Sequence, residues 1–313
     1  MKKIAIIGEC MIELNGEPFG KMRQTYGGDT LNTATYLARV SSSRQFDIHY
    51  VSVLGTDKLS QGMLHHWQDD HIRTDLVLRD ERRQPGLYLI QLDRQGERTF
   101  LYWRNQSAAR YLLQHNDYPR ILAQLEQMDM IYLSGISLAI LPPPDRITFI
   151  GQLKRLAQQG VEIAFDSNYR PNLWASLEET QQIYTALLPF VSLALVTFDD
   201  EQAVWQDENA RHTVRRLKAS GVKTVVVKQG KCGAFFSSFS GEEQHIEAAT
   251  VENVVDTTSA GDAFNAGFLN GYLQNKPLAC CCRQGNALAG VVIRHKGAII
   301  DQAATAHFIH QFN

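Results

Sequence analysis

The stretch Asp256-Thr-Thr-Ser-Ala-Gly-Asp-Ala-Phe-Asn-Ala-Gly267 is the part of this chain that says most about its fold. Small hydroxyl and glycyl residues precede Asp262, and an apolar run with helical spacing follows it over 263–269. We therefore predict a loop that enters a helix. The first N–H groups of a helix lack partners within it and carry partial positive charge, so Ala260 and Gly261 would bind a phosphate through the peptide itself.

Asp262 places an acid at the same helix start. It is positioned to take a proton from a hydroxyl that lies between it and a bound phosphate, and this pairing indicates phosphoryl transfer. The candidate catalytic residues are Asp262, Gly261 and Ala260. Ser, Thr and Asp are also the favoured helix caps, so a well-capped helix without any chemistry explains the same residues.

The composition is that of an ordinary globular protein. The 313 residues are 44% hydrophobic and 20% charged, which is enough for one large α/β domain with a sizeable core. Lys and Arg number 31 against 33 Asp and Glu, and the net charge of −2 gives no basic field to gather nucleic acid or anionic lipid. We therefore expect neither a nucleic-acid nor a membrane partner.

The N-terminal apolar run and the cysteines limit the expected location of the protein and the kinds of site that it could carry. The run over 4–7 stops at Gly8, too short for a signal peptide or a membrane span, which indicates the first strand of a cytoplasmic protein. The five cysteines, three of them adjacent at 280–282, form neither a disulfide framework nor a spaced zinc site.

Strands and helices alternate from residue 121 onward, a pattern typical of a parallel sheet covered on both faces. The predicted strands cover residues 130–134, 161–165, 193–197 and 224–228. Open α/β sheets bind their ligands at the carboxyl ends of the strands. In this chain those ends are followed by Asp166, Asn168 and Arg170, and by Asp200 and Glu201.

The first third of the chain predicts a second, smaller sheet. Strand-like runs cover 11–14, 74–78, 86–92 and 98–104, and the polar turn 93–97 joins the last two as a hairpin. Tyr88, Tyr102 and Arg104 alternate with apolar neighbours, so one face would be apolar and the other would carry two phenols and a guanidinium. Tyrosines in strands more often pack the sheet than bind a ligand.

A glycine pair, Gly27 and Gly28, precedes a predicted helix over 30–40. Its N–H groups could meet substrate hydroxyls, with Asp29 and Asn32 supplying side-chain bonds. Glycine pairs more often make a tight turn or a helix C-cap than a binding site.

Two of these motifs resemble the signatures of the ribokinase-like (PfkB-type) carbohydrate kinases. Gly27-Gly28-Asp-Thr-Leu-Asn32 matches the first, a Gly-Gly pair with asparagine four residues after the second glycine. The residues from Asp256 to Asp262 match the second, D-T-x-G-A-G-D, except that Ser259 stands where glycine is usual. Two specific motifs in the right order make coincidence very unlikely.

The resemblance covers nearly the whole chain and implies its architecture. The expected fold is a ribokinase-like three-layer α/β sandwich with a mostly parallel central sheet, forming one kinase domain over 1–313. A small β-sheet lid over the sugar would be built from about 10–16 and 74–104. Within the family, the chain is most similar to kinases of 2-keto-3-deoxy sugar acids, over 6–14, 102–104 and 168–171.

The resemblance also implies the reaction. Asp262 would deprotonate the terminal primary hydroxyl of 2-keto-3-deoxy-D-gluconate, which then attacks the γ-phosphate of ATP, giving the 6-phosphate and ADP. The N–H groups of Ala260, Gly261 and Asp262 would stabilise charge on the transferring phosphoryl group. The expected ligands are ATP, Mg²⁺ and the sugar acid, and a monovalent cation is left open.

Site residues follow from the same resemblance. The sugar would meet Gly27, Gly28, Asp29, Asn32, Tyr88, Tyr102, Arg104, Arg170 and Asp262. The nucleotide would meet Asn168, Lys228, Gly230, Gly233, Ser259, Gly261 and Asn286. Family members usually show N-x-x-E near the metal. Against that motif this chain has only Thr197, Asp200 and Glu201, and the two carboxylates would act through water.

Arg104 and Arg170 are the expected carboxylate binders, since a neutral hexose would leave a buried guanidinium without its counter-charge. Alternatively both arginines are structural, Arg170 pairing with Asp166 and Arg104 lying along the lid surface. A kinase of a neutral sugar such as fructose, and a non-catalytic sugar-sensing protein, are the alternative functions. The apolar outer face of the lid predicts a homo-oligomer formed through it.

Overall fold

Two β-sheets organise the chain, which a computed structural model describes over residues 1–42, 44–92 and 98–312. The strands in chain order are β1 (Lys2–Ile7), β2 (Met11–Gly16), β3 (Met22–Gly27), β4 (Phe46–Gly55), β5 (Val77–Asp80), β6 (Leu87–Leu92), β7 (Arg98–Trp103), β8 (Met130–Ser134), β9 (Glu162–Asp166), β10 (Leu193–Thr197), β11 (Thr224–Lys228), β12 (Ala234–Ser237) and β13 (Glu243–Ile246).

The larger sheet has nine strands in the order β13-β12-β11-β10-β9-β8-β1-β4-β5. Its pairs from β11 to β5 are all parallel, and β12 and β13 extend one edge antiparallel. The parallel strands are short runs of buried Val, Ile, Leu and Ala, which is the composition that a sheet covered on both faces requires. The predicted mostly parallel central sheet is confirmed.

Helices cover both faces of this sheet. They are α1 (Asp29–Val40), α2 (Lys58–Asp69), α3 (Tyr118–Leu125), α4 (Gly135–Ala139), α5 (Pro143–Gln158), α6 (Leu177–Leu187), α7 (Phe198–Trp205), α8 (Ala210–Ala219), α9 (Ala260–Leu273), α10 (Leu278–Val292) and α11 (Phe308–Gln311).

Alternate residues of β1 belong to two different apolar clusters, which reveals the layers of the fold. Ile4 and Ile6 join one apolar cluster together with residues of α1, α2, α9 and α10. Ala5 and Ile7 join a second cluster together with residues of α3, α5, α6 and α8. Because successive strand residues point to opposite faces, the two clusters lie on either side of the sheet, and the predicted three-layer arrangement is confirmed.

The smaller sheet has four strands in the order β3-β2-β6-β7. Strands β2 and β3 are antiparallel, β2 and β6 are parallel, and β6 and β7 are antiparallel, as a hairpin requires. The predicted hairpin turn at 93–97 lies outside the described residues.

The strand content of the smaller sheet differs from the expected lid. The run over 74–78 was expected in the lid, but β5 pairs with β4 at the edge of the larger sheet, because Val77 and Leu78 are buried in its two apolar clusters. The predicted lid range of 74–104 therefore begins too early, because its first strand belongs to the larger sheet. Strand β3 takes part instead; it is polar and mostly exposed, so no apolar alternation marked it in the sequence.

No helix in the described part of the chain is both long enough and apolar enough to span a membrane.

Candidate active site

The start of α9 has the geometry that the signature stretch predicts. Ser259 is the N-cap residue and has a left-handed backbone, with φ of 67° and ψ of 9°. This conformation explains why glycine is usual at this position in the family, since glycine enters the left-handed region without steric cost. The Ser259 carbonyl oxygen accepts from the N–H of Ala263 at 2.9 Å, which begins the helix.

Three N–H groups at this helix start were expected to bind phosphate, and two of them are available. The N–H of Ala260 donates to the carbonyl oxygen of Thr257 at 3.2 Å. The N–H groups of Gly261 and Asp262 make no hydrogen bond to any described residue. The donors open to an anion are therefore those of Gly261 and Asp262.

The Asp262 carboxylate is oriented by α1. Asn32 donates from Nδ2 to Asp262 Oδ2 at 2.8 Å, and no described residue donates to Oδ1. Burial, helped by the negative charges of Asp29 and Asp166, raises the pKa of Asp262 to about 7 against the lowering effects of Asn32 and Lys228. A carboxylate with a pKa near the working pH is well matched to general-base chemistry.

Asp29 and Asn168 join the first turn of α1 to the end of β9. Asn168 donates from Nδ2 to Asp29 Oδ2 at 2.6 Å, and its own N–H bonds to Asp166 Oδ1 at 3.2 Å. Burial raises the pKa of Asp29, while hydrogen bonds from Ser134 and Asn168 lower it. Asn168, expected at the nucleotide, is thus bonded to a residue expected at the sugar.

Lys228, at the end of β11, lies beside the helix start. A Cβ added at Gly261 would be 3.6 Å from Lys228 Nζ. The ammonium group donates to Asp166 Oδ2 at 2.8 Å and to Asn265 Oδ1 at 3.0 Å. Asn265 Nδ2 donates to Asp166 Oδ2 at 2.7 Å and to Tyr132 Oη at 2.9 Å.

Asp166 and Asn265 were not among the predicted site residues. The signal for Asn265 was present, since it is the one amide within the apolar run of the signature stretch and is fully buried. A buried polar side chain requires hydrogen-bond partners, and these partners are what fix the position of Lys228.

Tyr88 and Tyr102 lie opposite each other on neighbouring strands of the smaller sheet, with ring centroids 5.9 Å apart. Tyr88 is buried and donates to Glu13 Oε2 at 2.5 Å, whereas Tyr102 is half exposed. Burial and the neighbouring Glu13 carboxylate raise the pKa of Tyr88. The two phenols share one face, as predicted, and Glu13 joins them as a residue that was not predicted.

The glycine pair is in close contact with these groups. A Cβ at Gly27 would lie 2.8 Å from Tyr88 Oη, and one at Gly28 would lie 2.1 Å from the carbonyl oxygen of Glu9. Gly28 is the N-cap residue of α1 and has an extended backbone, with φ of 178°. Packing alone therefore excludes side chains at both positions. The alternative of a helix C-cap is wrong, because Gly28 is the N-cap residue of α1.

The two arginines are in different surroundings. Arg104 is buried and donates from Nη2 to Glu9 Oε2, so it does not lie along the lid surface as one alternative held. Arg170 is half exposed, with Nη1 3.8 Å from Asp200 Oδ1. The alternative pairing of Arg170 with Asp166 is wrong, because the Asp166 carboxylate is bonded to Lys228.

The carboxylates expected near a metal do not form a ligand set. Glu201 is buried and bonded to Arg216 Nη2 at 2.5 Å. The pKa of Asp200 is raised to about 6 by burial and by the charge of Asp166, against the lowering effect of Arg170. Across the described residues, no group of three or more His, Cys, Asp or Glu side chains could hold a metal ion.

The remaining residues expected at the nucleotide are Gly230, Gly233 and Asn286. Gly230 and Gly233 have left-handed φ values of 55° and 92° and bracket a short turn directly after Lys228. Asn286, on α10, donates from Nδ2 to the carbonyl oxygens of Ile246 at 3.4 Å and Glu247 at 3.2 Å. Its side chain thus ties α10 to the end of β13.

The structure thus has a carboxylate at a helix start with open N–H groups, set beside the ends of parallel strands, and comparison with known proteins gives the class of the protein. Residues 1–305 match the pfkB family carbohydrate kinases. The chain belongs to this family and is a sugar kinase.

Individual relatives are similar over most or all of their length. The chain is 64% identical to the 2-dehydro-3-deoxygluconokinase of Haemophilus influenzae, with 100% of both chains covered. It is 43% identical to the 2-dehydro-3-deoxygluconokinase of Escherichia coli K12, covering 97% of this chain and 98% of that one. A fructokinase of Salmonella typhimurium is 27% identical over 87% of this chain and 85% of its own.

Solved structures share the fold. Fructokinase with bound ATP from Xylella fastidiosa superposes with a TM-score of 0.82 at 19% identity, over 99% of this chain and 98% of that one. The aminoimidazole riboside kinase of Salmonella enterica, complexed with aminoimidazole riboside and an ATP analog, has a TM-score of 0.80 at 22% identity, over 99% of both chains.

Proposed function

We propose that this chain transfers the γ-phosphoryl group of ATP to the terminal primary hydroxyl of 2-keto-3-deoxy-D-gluconate, also called 2-dehydro-3-deoxy-D-gluconate. The products are the 6-phosphate and ADP. The observation that carries the reaction type is the carboxylate of Asp262, which has a pKa of about 7, next to the open N–H groups of Gly261 and Asp262 itself. The full-length relatives named for this substrate support the choice of sugar acid.

Asp262 is the general base in this proposal. Asn32 occupies its Oδ2, so Oδ1 accepts the proton of the primary hydroxyl. The alkoxide then attacks the γ-phosphorus while charge on the transferring group is stabilised by the N–H groups of Gly261 and Asp262. Ala260 supplies the small side chain that lets the phosphate approach the helix.

Lys228 adds positive charge to the same place. Its ammonium group would be 3.6 Å from a side chain at Gly261, within reach of a phosphate bound there. Because Asp166 and Asn265 already fix its position, the charge is in place before the reaction begins. We place ATP along the turn after Lys228, with Ser259 and Gly261 at its phosphates and Gly230, Gly233, Asn168 and Asn286 along its length.

Magnesium does not fit a direct protein site here, since Glu201 is bonded to Arg216 and no three-ligand group is present among the described residues. Mg²⁺ binds ATP through the phosphates and keeps several waters, so the ion would arrive with the nucleotide. Asp200 is the carboxylate that would meet its waters. The ion supplies neutralisation of phosphate charge when bound.

We place the sugar between the smaller sheet and α1. Arg104 and Arg170 would bind the carboxylate, Arg104 from a fixed position and Arg170 from a more exposed one. The hydroxyl groups would meet Gly27, Gly28, Asp29, Asn32, Tyr88 and Tyr102. The smaller sheet acts as the lid in this arrangement, and the reaction takes place in the cytoplasm.

A coupled ADP-release assay tests the proposal. The purified protein is supplied with ATP and Mg²⁺, with and without K⁺, and with 2-keto-3-deoxygluconate, fructose or ribose. We expect kcat/KM for the sugar acid to exceed that for either neutral sugar by at least tenfold. Faster turnover of fructose would show that the substrate is a neutral sugar and not the sugar acid. ADP release without any sugar would contradict both kinase functions.

We further propose that the lid pairs with the lid of a second copy. Its outer face carries Leu89 and Leu101 opposite each other, with Trp103 beyond them. Leu101 and Trp103 expose 42% and 58% of their surface, which is costly for large apolar side chains unless a partner covers them.

A further inference from the structure

A buried ion pair joins the two sheets. Glu9 lies between β1 of the larger sheet and β2 of the smaller one, and Arg104 directly follows β7. Arg104 Nη2 donates to Glu9 Oε2, and the two side chains are only 8% and 1% exposed. The pair therefore lies at the junction where the smaller sheet leaves the body of the protein.

The pair leaves two polar atoms unused. Glu9 Oε1 and Arg104 Nε are buried and have no hydrogen-bond partner within residues 1–42, 44–92 and 98–312. Buried polar atoms in folded proteins are nearly always paired, because leaving one unpaired carries a desolvation penalty. An unused guanidinium nitrogen beside a site for an anionic substrate points to a ligand that completes the pairing.

The backbone around Gly86 restricts the movement of the pair. A Cβ at Gly86 would lie 2.8 Å from Glu9 Oε1 and 3.1 Å from Arg104 Cβ. The carbonyl oxygen of Gly86 accepts from the N–H of Ile12 at 2.8 Å, which fixes this backbone to β2. Glu9 and Arg104 are thus enclosed by three segments of chain, and the guanidinium is held in one orientation.

We infer that Glu9 is a positioning residue that sets the preference for an acidic sugar. It engages one nitrogen of Arg104 and fixes the guanidinium so that Nε remains for the substrate carboxylate. A rigidly positioned arginine loses less side-chain freedom on binding than a mobile one, so the carboxylate is bound more tightly. This role rests on the proposed sugar-acid kinase activity and adds to it a residue outside the expected site.

The test is a double-mutant cycle. Glu9→Gln keeps the shape of the side chain and removes its charge, and it is made in the wild-type chain and in Arg104→Ala. We expect Glu9→Gln to raise KM for 2-keto-3-deoxygluconate by about tenfold, the scale of one weakened charge-assisted bond. KM for ATP stays within about twofold because the pair does not contact the nucleotide. In the Arg104→Ala chain, Glu9→Gln adds less than about twofold, since there is no guanidinium left to position.

Two further variants separate positioning from stability. Glu9→Asp restores the charge one methylene shorter, and we expect it to recover part of the lost affinity. Glu179→Gln breaks a similar ion pair between α5 and α6, where Arg146 Nη1 and Glu179 Oε1 are 2.6 Å apart. This control is expected to lower Tm and leave both KM values unchanged.

The outcomes are distinct. Additive losses of Glu9→Gln and Arg104→Ala, or equal rises in KM for sugar acid and ATP, would overturn the positioning role. So would a wild-type KM in Glu9→Gln. If Glu9→Gln does not fold, Glu9→Asp decides by the same cycle. A wild-type protein that does not phosphorylate the sugar acid refutes the proposed function instead, before any variant is compared.

Discussion

At the scale of single residues, the chemistry depends on how Asp262 is held. Its Oδ2 is bonded to Asn32, and nearby carboxylates together with burial move its pKa to about 7. The side chain therefore combines a fixed orientation with a high affinity for a proton. Both properties depend on residues distant in sequence, which the signature stretch does not contain.

Asp262→Asn is expected to reduce kcat by about 10²–10⁴, the usual contribution of a general base. KM for ATP and for the sugar acid should stay within a few-fold, because the proton is transferred only in the transition state. Steady-state kinetics with both substrates varied measures this. Asp199→Asn, an exposed first-turn carboxylate on α7, is the control. Turnover of Asp262→Asn near that of the wild type would remove Asp262 from the role of base.

The raised pKa of Asp262 also predicts opposite pH dependences of activity and stability. The base acts when ionised, so kcat/KM should rise with pH and level off above about 7. The folded-state pKa exceeds the ordinary value of 3.8, so the unfolded chain loses this proton first. The contribution of Asp262 to the free energy of unfolding therefore falls as pH rises from about 4 to about 7. Chemical denaturation of the wild type and of Asp262→Asn at several pH values measures this contribution. If the free energy of unfolding depends on pH in the same way in both proteins, Asp262 does not make it.

Sequence alone placed Asp262 and Gly261 at the start of a helix, where the structure has them, because a helix start is a local feature and its residues are adjacent. It gave no indication of Glu9, and it named Asp166 only as a residue at a strand end and as an alternative partner of Arg170. The role of each depends on a partner many residues away, Arg104 for Glu9 and Lys228 for Asp166. Such pairings are set by how the elements pack and are not visible in spacing along the chain.

At the scale of elements, the entry to α9 is the central feature. The left-handed Ser259 turns the chain into the helix, and the Gly261 and Asp262 N–H groups there have no partner among the described residues. Close packing then fixes the helix, since a Cβ at Gly267 would lie 2.7 Å from the carbonyl oxygen of Gln284 on α10. Alternation of strands and helices predicted the larger sheet, whereas β3 was missed because exposed polar strands lack an apolar pattern.

Gly261→Val tests the anion site without disturbing the fold. Apart from its own helix and chain neighbours, Lys228 Nζ at 3.6 Å is the one atom of the described residues within 4 Å of a Cβ placed there, so the side chain can begin without a clash. The valine would instead fill the space of the phosphate, and we expect turnover to fall by at least 100-fold with Tm lowered only modestly.

Gly151→Val on α5 is the matched control, because a Cβ there meets no described residue outside its own helix within 4 Å, and α5 carries none of the proposed site residues. It should lower Tm by a similar amount and leave kcat unchanged. Thermal melting and kcat are measured for both variants. Retention of wild-type turnover in Gly261→Val with an unchanged Tm would show that phosphate does not bind at this helix start.

At the scale of the whole molecule, the outer face of the lid predicts the oligomeric state. Trp103→Lys should convert a dimer to a monomer, because a buried ammonium group without a partner opposes association. Light scattering after gel filtration, over a range of protein concentrations, measures the mass. Phe239→Lys is the control, since Phe239 is 77% exposed and lies away from the lid. A monomeric wild type, or an unchanged mass for Trp103→Lys, would exclude pairing through this face.

The bond between Asn32 and Asp262 joins residues 230 positions apart. Ribosomes add about 5–20 residues per second, so Asn32 leaves the ribosome on the order of 10 to 50 seconds before its partner is made. During that interval the β1 and α1 region has no α9 to pack against. The contact between Asn32 and Asp262 is therefore among the last to form during synthesis, and a chain that stops short of α9 leaves exposed the apolar residues of α1 that share a cluster with α9.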